Sequence, residues 1–88
     1  MTDEPPKIVF PCRYPIKVLG RAGESFHTTV LAIFQRHASG FEEGDVIVKD
    51  SRKGTFQSIT VTIMAQDEEQ LRLIHEDLMA TGLVTMVM

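Results

Sequence analysis

The residue types that most often carry enzymatic chemistry are few in this chain and are not grouped. It has one cysteine, Cys12, and three histidines, His27, His37 and His75. None of them has a histidine, cysteine or carboxylate partner at the spacing that holds a metal ion or activates a nucleophile. A catalytic role for His37 and Cys12 is the alternative, but a structural histidine and an inert cysteine are favoured. We predict no catalytic residue, no metal site and no cofactor.

A glycine-rich turn before the first predicted helix is the candidate ligand-binding site. Two glycines within four residues indicate a turn with unusual backbone angles. The turn lacks the glycine and lysine-serine patterns of nucleotide-binding loops, and the acidic residue that follows it would repel a phosphate. Its opposite charges favour a small metabolite that carries an amine and a carboxylate, while an ordinary strand-to-helix turn is the alternative. The candidate residues are Gly20, Arg21, Gly23 and Glu24.

Length, charge and hydrophobic content exclude several classes of protein. A chain of 88 residues with 43% hydrophobic residues forms one domain with a modest core. The formal net charge of −3 argues against a general nucleic-acid binder, although Lys49, Arg52 and Lys53 form a short basic run. The longest apolar stretches are far shorter than the ~20 residues of a membrane span. The N-terminus lacks a signal-peptide pattern, and we expect a cytoplasmic protein without a membrane partner.

The first half of the chain is predicted to contain an irregular arm, a strand and a helix. Residues 1–11 form the arm, because prolines interrupt regular structure there, and residues 12–88 form the domain. Arg13–Leu19 alternates as a strand does. From about Glu24 the apolar residues follow helical spacing, with Ser25 as the N-terminal cap and Ser39-Gly40 as the end. The stripe at helical spacing consists of Phe26, Val30, Ile33, Phe34 and His37.

The second half is predicted to contain two strands, a second helix and a final strand. The strands cover Asp45–Ser51 and Thr55–Ala65, and Ser51–Gly54 connects them as a hairpin turn. A variant of the capping box, Asp67-x-x-Gln70, begins a helix that ends at Gly82. In the last strand, Leu83–Met88, the inward residues are predicted to be Val84 and Met86. The inward positions of the long strand and the second helix are Ile59, Val61, Ile63, Leu71, Ile74 and Leu78.

The order β-α-β-β-α-β predicts an α+β domain of the ferredoxin-like type, in which two helices cover one face of a four-stranded antiparallel sheet. The other face is uncovered and partly apolar, which suggests a contact surface for another protein or for a second copy of this chain. Scattered exposed apolar residues are the ordinary alternative. The candidate interaction residues are Leu19, Ile47, Phe56 and Met64 on the sheet, with Val87 as a further candidate, and Leu73 on the second helix.

RNA binding is an alternative because the RNA-recognition motif has this same topology. That motif stacks bases on aromatic residues of its third strand. The corresponding stretch here begins with Lys53-Gly54, which matches, but Thr55 and Gln57 occupy the positions of the stacking rings. We therefore expect no nucleic-acid partner.

Several stretches together resemble the YbeD-like family of small bacterial proteins of undetermined function. They are Tyr14-Pro15-Ile16-Lys17-Val18-Leu19-Gly20, Gln35-Arg36-His37-Ala38 followed by Gly40, Ser51-x-Lys53-Gly54-x-Phe56-x-Ser58-Ile59-Thr60-Val61-Thr62-Ile63, and Met86-Val87. The resemblance implies a ferredoxin-like domain similar to the ACT regulatory domains, which bind amino acids between two copies. It also implies no established activity, and a link to lipoate metabolism through neighbouring genes.

Two functions follow from these observations, and both are non-catalytic. In the first, the domain senses a small metabolite at the turn of residues 20–23, in the manner of ACT domains. In the second, it is an adaptor that binds a protein partner through the uncovered sheet face. In either case we expect a homo-oligomer.

Overall fold

The computed structural model describes residues 9–38, 40–51 and 53–88, and the predicted ferredoxin-like order is confirmed there. One 3-10 turn, Glu43–Asp45, precedes the second strand. Among the described residues no helix is long and apolar enough to cross a membrane. The elements are β1 Cys12–Arg21, α1 Glu24–His37, β2 Val46–Asp50, β3 Phe56–Ala65, α2 Glu68–Ala80 and β4 Val84–Val87.

The four strands form one antiparallel sheet in the order β2-β3-β1-β4, with the two longest strands in the centre. Alternate residues of β1 and β3 point to one face, and there both helices pack on them. Neither of the described helices lies on the opposite face of the sheet. The largest fully buried side chains are Phe26, Phe34, Ile59, Ile63, Ile74, Leu78, Val18, Val30 and Val61.

The second helix begins as predicted, and the first does not. The Asp67 carboxylate caps α2 by accepting a hydrogen bond from the Gln70 N–H at 2.7 Å. The N-cap of α1 is Gly23, and no side chain caps this helix, so the predicted Ser25 cap is wrong. Ser25 lies inside the first turn, whereas a capping side chain must come from the extended residue that precedes the helix.

The last strand contains a register shift that the alternation of its residues did not predict. Val87 pairs with Val18 and Met86 with Leu19, but Gly20 pairs with Val84, so one extra residue lies between the pairs. Val84 is buried and Val87 packs against the core, whereas Met86 is exposed. The predictions of an inward Met86 and of Val87 on the uncovered face are therefore wrong.

Gly20 belongs to the central strand and not to a turn. Among the described residues, the glycines with positive φ are Gly40, Gly54 and Gly82, so the unusual angles predicted for residues 20 and 23 are absent. Gly20 has a different reason to be glycine. A Cβ atom there would lie 2.4 Å from the carbonyl oxygen of Leu83 and 2.5 Å from a ring carbon of Phe26. The close approach of α1 and of the residue before β4 to β1 requires a residue without a side chain.

Several predicted features lie wholly or partly outside the described residues. These are residues 1–8 of the arm, Ser39 at the end of α1, and Arg52 in the hairpin turn. The neighbouring glycines agree with the predictions, since Gly40 has a φ of 109° and Gly54 has a φ of 70°. The Gly54 N–H donates to the Ser51 carbonyl oxygen at 2.9 Å, which closes the described part of the turn. The division of the chain at residue 11 stays a prediction.

We expect Gly20→Ala to lower the free energy of unfolding by about 1–3 kcal/mol, because the new methyl group must displace the backbone at Leu83 or the ring of Phe26. Urea denaturation followed by circular dichroism measures the change. The matched control is Gly44→Ala, where a Cβ atom meets nothing within 4 Å. The control should change stability by less than about 0.5 kcal/mol. Equal stability of the two variants would contradict the packing role of Gly20.

Candidate functional site

The face of the sheet that carries no helix, the open face, is the main candidate site. Large apolar side chains on it are exposed to solvent: Ile47 by 53%, Phe56 by 44%, Met64 by 50% and Met86 by 49%. Leu19, half-buried, lies between Ser58 on β3 and Met86 on β4. The structure thus brings together four of the predicted interaction residues, Leu19, Ile47, Phe56 and Met64, and adds Met86.

A shallow hollow interrupts the open face at the end near the hairpin turn. Its volume is about 110 Å³, and its lining consists of Leu19 of β1, Lys49 and Asp50 of β2, Ser51, and Phe56, Gln57 and Ser58 of β3. The hollow exists because Ser58 is small and lies between larger residues of the two neighbouring strands in the same row. A space of this size accepts one aliphatic side chain.

The open face is also cationic. Arg13, Lys17 and Arg21 project from it on β1, and Lys49 projects from it on β2. Among the described residues, the carboxylates next to this face are Asp45, before β2, and Asp50 at the end of β2, which belongs to the lining of the hollow and accepts a hydrogen bond from Gln57 at 2.9 Å. Among the described residues, no ion pair involves Lys17, Arg21 or Lys49. No single stretch of the sequence shows this cluster, because its members are far apart in the chain.

Asp45 neutralises only Arg13. The guanidinium of Arg13 crosses the open face of β3 to reach the Asp45 carboxylate, with 2.8 Å between Nη2 and Oδ1. The Asp45 carboxylate also accepts a hydrogen bond from the Glu42 N–H at 3.0 Å. The pKa of Asp45 is lowered, first by this backbone hydrogen bond and then by Arg13. The carboxylate therefore stays charged near neutral pH and fixes the 3-10 turn to the edge of the face.

The helix layer has the opposite charge. Its two arginines, Arg36 and Arg72, are both paired with carboxylates within the layer. The pairing of Arg72 with Glu69 lowers the pKa of that carboxyl group. The two helices contain five acidic residues, which are Glu24, Glu68, Glu69, Glu76 and Asp77. The domain thus separates its charges, with cations on the open face and carboxylates on the helices.

The predicted ligand-binding residues are divided between different surroundings. Gly20 is packed inside the fold, and Arg21 is paired with Phe56 at the end of the strand. Gly23 and Glu24 line an open cleft of about 480 Å³ at the start of α1, together with His27, Thr28 and Gln57. Arg21 is not among these lining residues, so the cleft lacks the cation that was predicted to face Glu24.

The cleft has one polar atom of note. The side-chain oxygen Oε1 of Gln57 is buried and accepts no hydrogen bond among the described residues. The amide nitrogen of the same side chain donates to Asp50 at 2.9 Å, which holds the oxygen in place.

The remaining candidates lie apart from both sites. Leu73 is a half-buried residue of α2, on the other side of the sheet from the open face, so it is not part of that surface. His37 is half-buried, and its Nε2 atom lies 2.5 Å from the Asp77 carboxylate, which joins the end of α1 to α2. Cys12 is a half-buried free cysteine at the start of β1. Within the described part of the chain, no group of three or more metal-ligating side chains is close enough to hold a metal ion.

The comparisons with known proteins identify the family. The family described as protein of unknown function, DUF493, matches residues 5–88. The chain belongs to the DUF493 family. A UPF0250 protein of Pseudomonas aeruginosa is 54% identical, and one of Hahella chejuensis is 44% identical, each over the whole of both chains. The resemblance to the YbeD-like proteins is thereby confirmed.

A solved structure confirms the fold. The solution structure of protein HP0495 from H. pylori matches with a TM-score of 0.79 over 98% of this chain and 90% of that chain. The two sequences are 17% identical, so the likeness concerns the fold alone. The functions of the relatives are not established, and the function of this chain has to be argued from its own surfaces.

We expect Arg13→Gln to raise the pKa of Asp45 without restoring it fully to its ordinary value of 3.8, because the hydrogen bond from Glu42 remains. A carboxyl group whose pKa is lower in the folded protein stabilises the fold above pH 3.8. That contribution is lost as the pH falls through the folded pKa. In Arg13→Gln the folded pKa is closer to that of the unfolded chain, so the pH range between the two pKa values should be narrower. Titration of the Asp45 carboxyl carbon by NMR measures the shift. Arg36→Gln, which alters a cation of the helix layer, should leave the Asp45 pKa unchanged.

Proposed function

We propose that this protein is a non-catalytic docking domain of the cytoplasm, and that it binds another protein through the open face of its sheet. The observation that supports the proposal best is the combination, on one face, of exposed apolar residues, an apolar hollow and three cations that form no ion pair within the described part of the chain. Contiguous apolar surface bordered by charge is typical of binding sites, whereas scattered single residues are not.

The geometry of the face fits protein recognition. The apolar residues of the face lie on all four strands. Leu19 pairs directly with Met86 and shares the lining of the hollow with Phe56, while Ile47 lies two residues from Lys49 of that lining, and Met64 lies farther along β3, opposite Arg13. The strands hold these side chains on a rigid platform, which lowers the entropy that is lost on binding. The hollow gives the centre of an interface a place for one buried anchor residue.

The distribution of reactive groups favours binding over catalysis. In the part of the chain that the structure describes, the histidine closest to a carboxylate is His37, and its contact with Asp77 joins two helices and faces no cleft described above. Cys12 is half-buried, and among the described residues no hydrogen bond joins it to that pair. A nucleophile, a base and a group that orients the base must be within hydrogen-bond reach of one another, and the described residues form no such set.

A photo-crosslinking experiment tests the proposal. Benzoylphenylalanine is introduced at Thr60, in the middle of the open face, and in a matched control at Ala32, an exposed residue of α1. After irradiation in cells of the source bacterium, the Thr60 variant should give discrete protein adducts that the Ala32 variant does not give. The adducts should disappear when Phe56→Asp is added, because that change places a carboxylate in the hollow. No adduct from Thr60, or the same adducts from both positions, would contradict docking at this face.

A second function, the sensing of a small metabolite, is favoured by the cleft at the start of α1, which is lined by Glu24 and by Gln57. A ligand with an amine group would lie beside the Glu24 carboxylate. Amino acids are therefore the class to screen by thermal unfolding. A ligand at 100 times its Kd should stabilise the fold by about 2.7 kcal/mol.

Gly23→Val is the variant that separates a specific ligand from a nonspecific one. A Cβ atom at residue 23 meets nothing within 4 Å, so the fold tolerates the side chain while the cleft is narrowed. The stabilisation should be lost in this variant. Stabilisation that persists in Gly23→Val would exclude this cleft as the site.

A further inference from the structure

We propose that the partner of the open face is an acidic, amphipathic segment of another protein, which inserts one aliphatic side chain into the hollow and places its carboxylates beside Lys17, Arg21 and Lys49. This inference rests on the proposed docking function and names the chemistry of its partner. The observation behind the inference is the separation of charge between the two faces of the domain. A docking surface without a preference for acidic partners does not need this separation.

The spacing of the cations matches a regular acidic segment. Strands of a sheet are ~4.8 Å apart, and alternate residues along one strand are ~6.7 Å apart. Lys17 and Lys49 are separated by two strands and one such step, so their Cα atoms are about 12 Å apart. Lys17 and Arg21 are separated by two steps along β1, which is about 13 Å. Carboxylates eight residues apart on a helix are separated by about 12 Å, and the apolar residues between them face the same side.

The hollow lies within this cationic frame. Lys49 contributes to its wall, and Leu19, on the opposite wall, lies between Lys17 and Arg21 along β1. A partner residue in the hollow therefore brings its neighbours within reach of the cations. Burial of the aliphatic residue supplies the affinity, and the ion pairs around it select the partner and its orientation.

The helix layer contributes by repulsion. Its five acidic residues and the acidic loop residues Glu42 and Glu43 repel an acidic partner from the rest of the surface. The open face is then the part of the domain that attracts such a partner. A charge distribution of this kind steers a partner to one face and raises the association rate.

A second copy of the chain is a poor occupant of the same face. A two-fold pairing of two open faces places Lys17, Arg21 and Lys49 against the same residues of the other copy, and like charges at close range oppose association. The described carboxylates beside the face are already engaged, since Asp45 pairs with Arg13 and Asp50 accepts a hydrogen bond from Gln57. The expected homo-oligomer stays a prediction for other surfaces of the domain.

Single-stranded nucleic acid is also a poor occupant. Binding of bases uses several aromatic side chains as stacking platforms, and Phe56 is the aromatic residue that the described strands place on this face. Its other apolar residues are aliphatic and fit an aliphatic partner. The acidic helices add repulsion to a polyphosphate chain.

Binding of designed peptides tests the inference. The probe is a helical peptide of leucine and glutamate in a seven-residue repeat, and its control has glutamine in place of every glutamate. The glutamate peptide should bind at low salt and shift the backbone amide signals of Leu19, Ser58 and Lys49 in NMR spectra. The glutamine peptide should bind at least about tenfold more weakly, because it makes no ion pairs.

Charge reversal locates the site of binding. The double variant Lys17→Glu with Lys49→Glu should raise the Kd for the glutamate peptide by at least about tenfold. The matched control, Arg36→Glu on α1, should change it by less than about twofold, since it lies in the other layer. Both variants remain foldable, because each changed residue is exposed to solvent.

Three results would overturn the inference. They are equal affinity for the glutamate and glutamine peptides, tighter binding of a twelve-nucleotide oligouridylate than of the glutamate peptide, and protection of the open face by self-association in the absence of peptide. None of them removes the docking function, which is tested separately by the adducts from Thr60. If the adducts form and the peptides are not distinguished by charge, docking stands and the acidic partner is rejected.

Discussion

The arrangement of this domain depends on one packing constraint, which is that both helices lie on the same face of the sheet. The two helices bury their apolar stripes against alternate residues of β1 and β3, and this contact forms the core. Because side chains alternate along a strand, every strand residue is then assigned either to the core or to the open face. The open face is therefore a direct consequence of the face that forms the core.

The separation of charge follows from the same constraint. A strand with one face in the core can place a lysine or an arginine only on the other face, and three cations of β1 occupy those positions. The helices, in contrast, have a wide solvent-facing side on which carboxylates are stabilised near the first turn. The sheet thus collects positive charge and the helices collect negative charge, while the formal net charge of the whole chain is only −3. A total charge this small conceals two faces of opposite sign.

The close packing around β1 shows how tightly the layers constrain the sequence. Gly20 allows the Phe26 ring and the backbone before β4 to approach the strand, and the register shift of β4 follows at the same place. Pro15 fits the other half of the strand for a related reason. The N–H and C=O groups of Lys17 bond to Met88, so the backbone groups of the odd residues point toward β4. At residue 15 none of the described strands lies on that side, so the missing N–H group of the proline removes no hydrogen bond from the described sheet.

The sequence by itself determined the number, type and approximate limits of the elements, because apolar periodicity and helix signals act between residues that are close in the chain. It determined the inward face of β3 and α2, and the capping role of Asp67, for the same reason. Only the tertiary structure decided which strands are neighbours, and hence that Lys17, Arg21 and Lys49 share one face around a hollow. It also decided that Met86 points outward and that Ser25 does not cap α1. These features depend on register and on contacts between distant segments, and a local pattern does not contain that information.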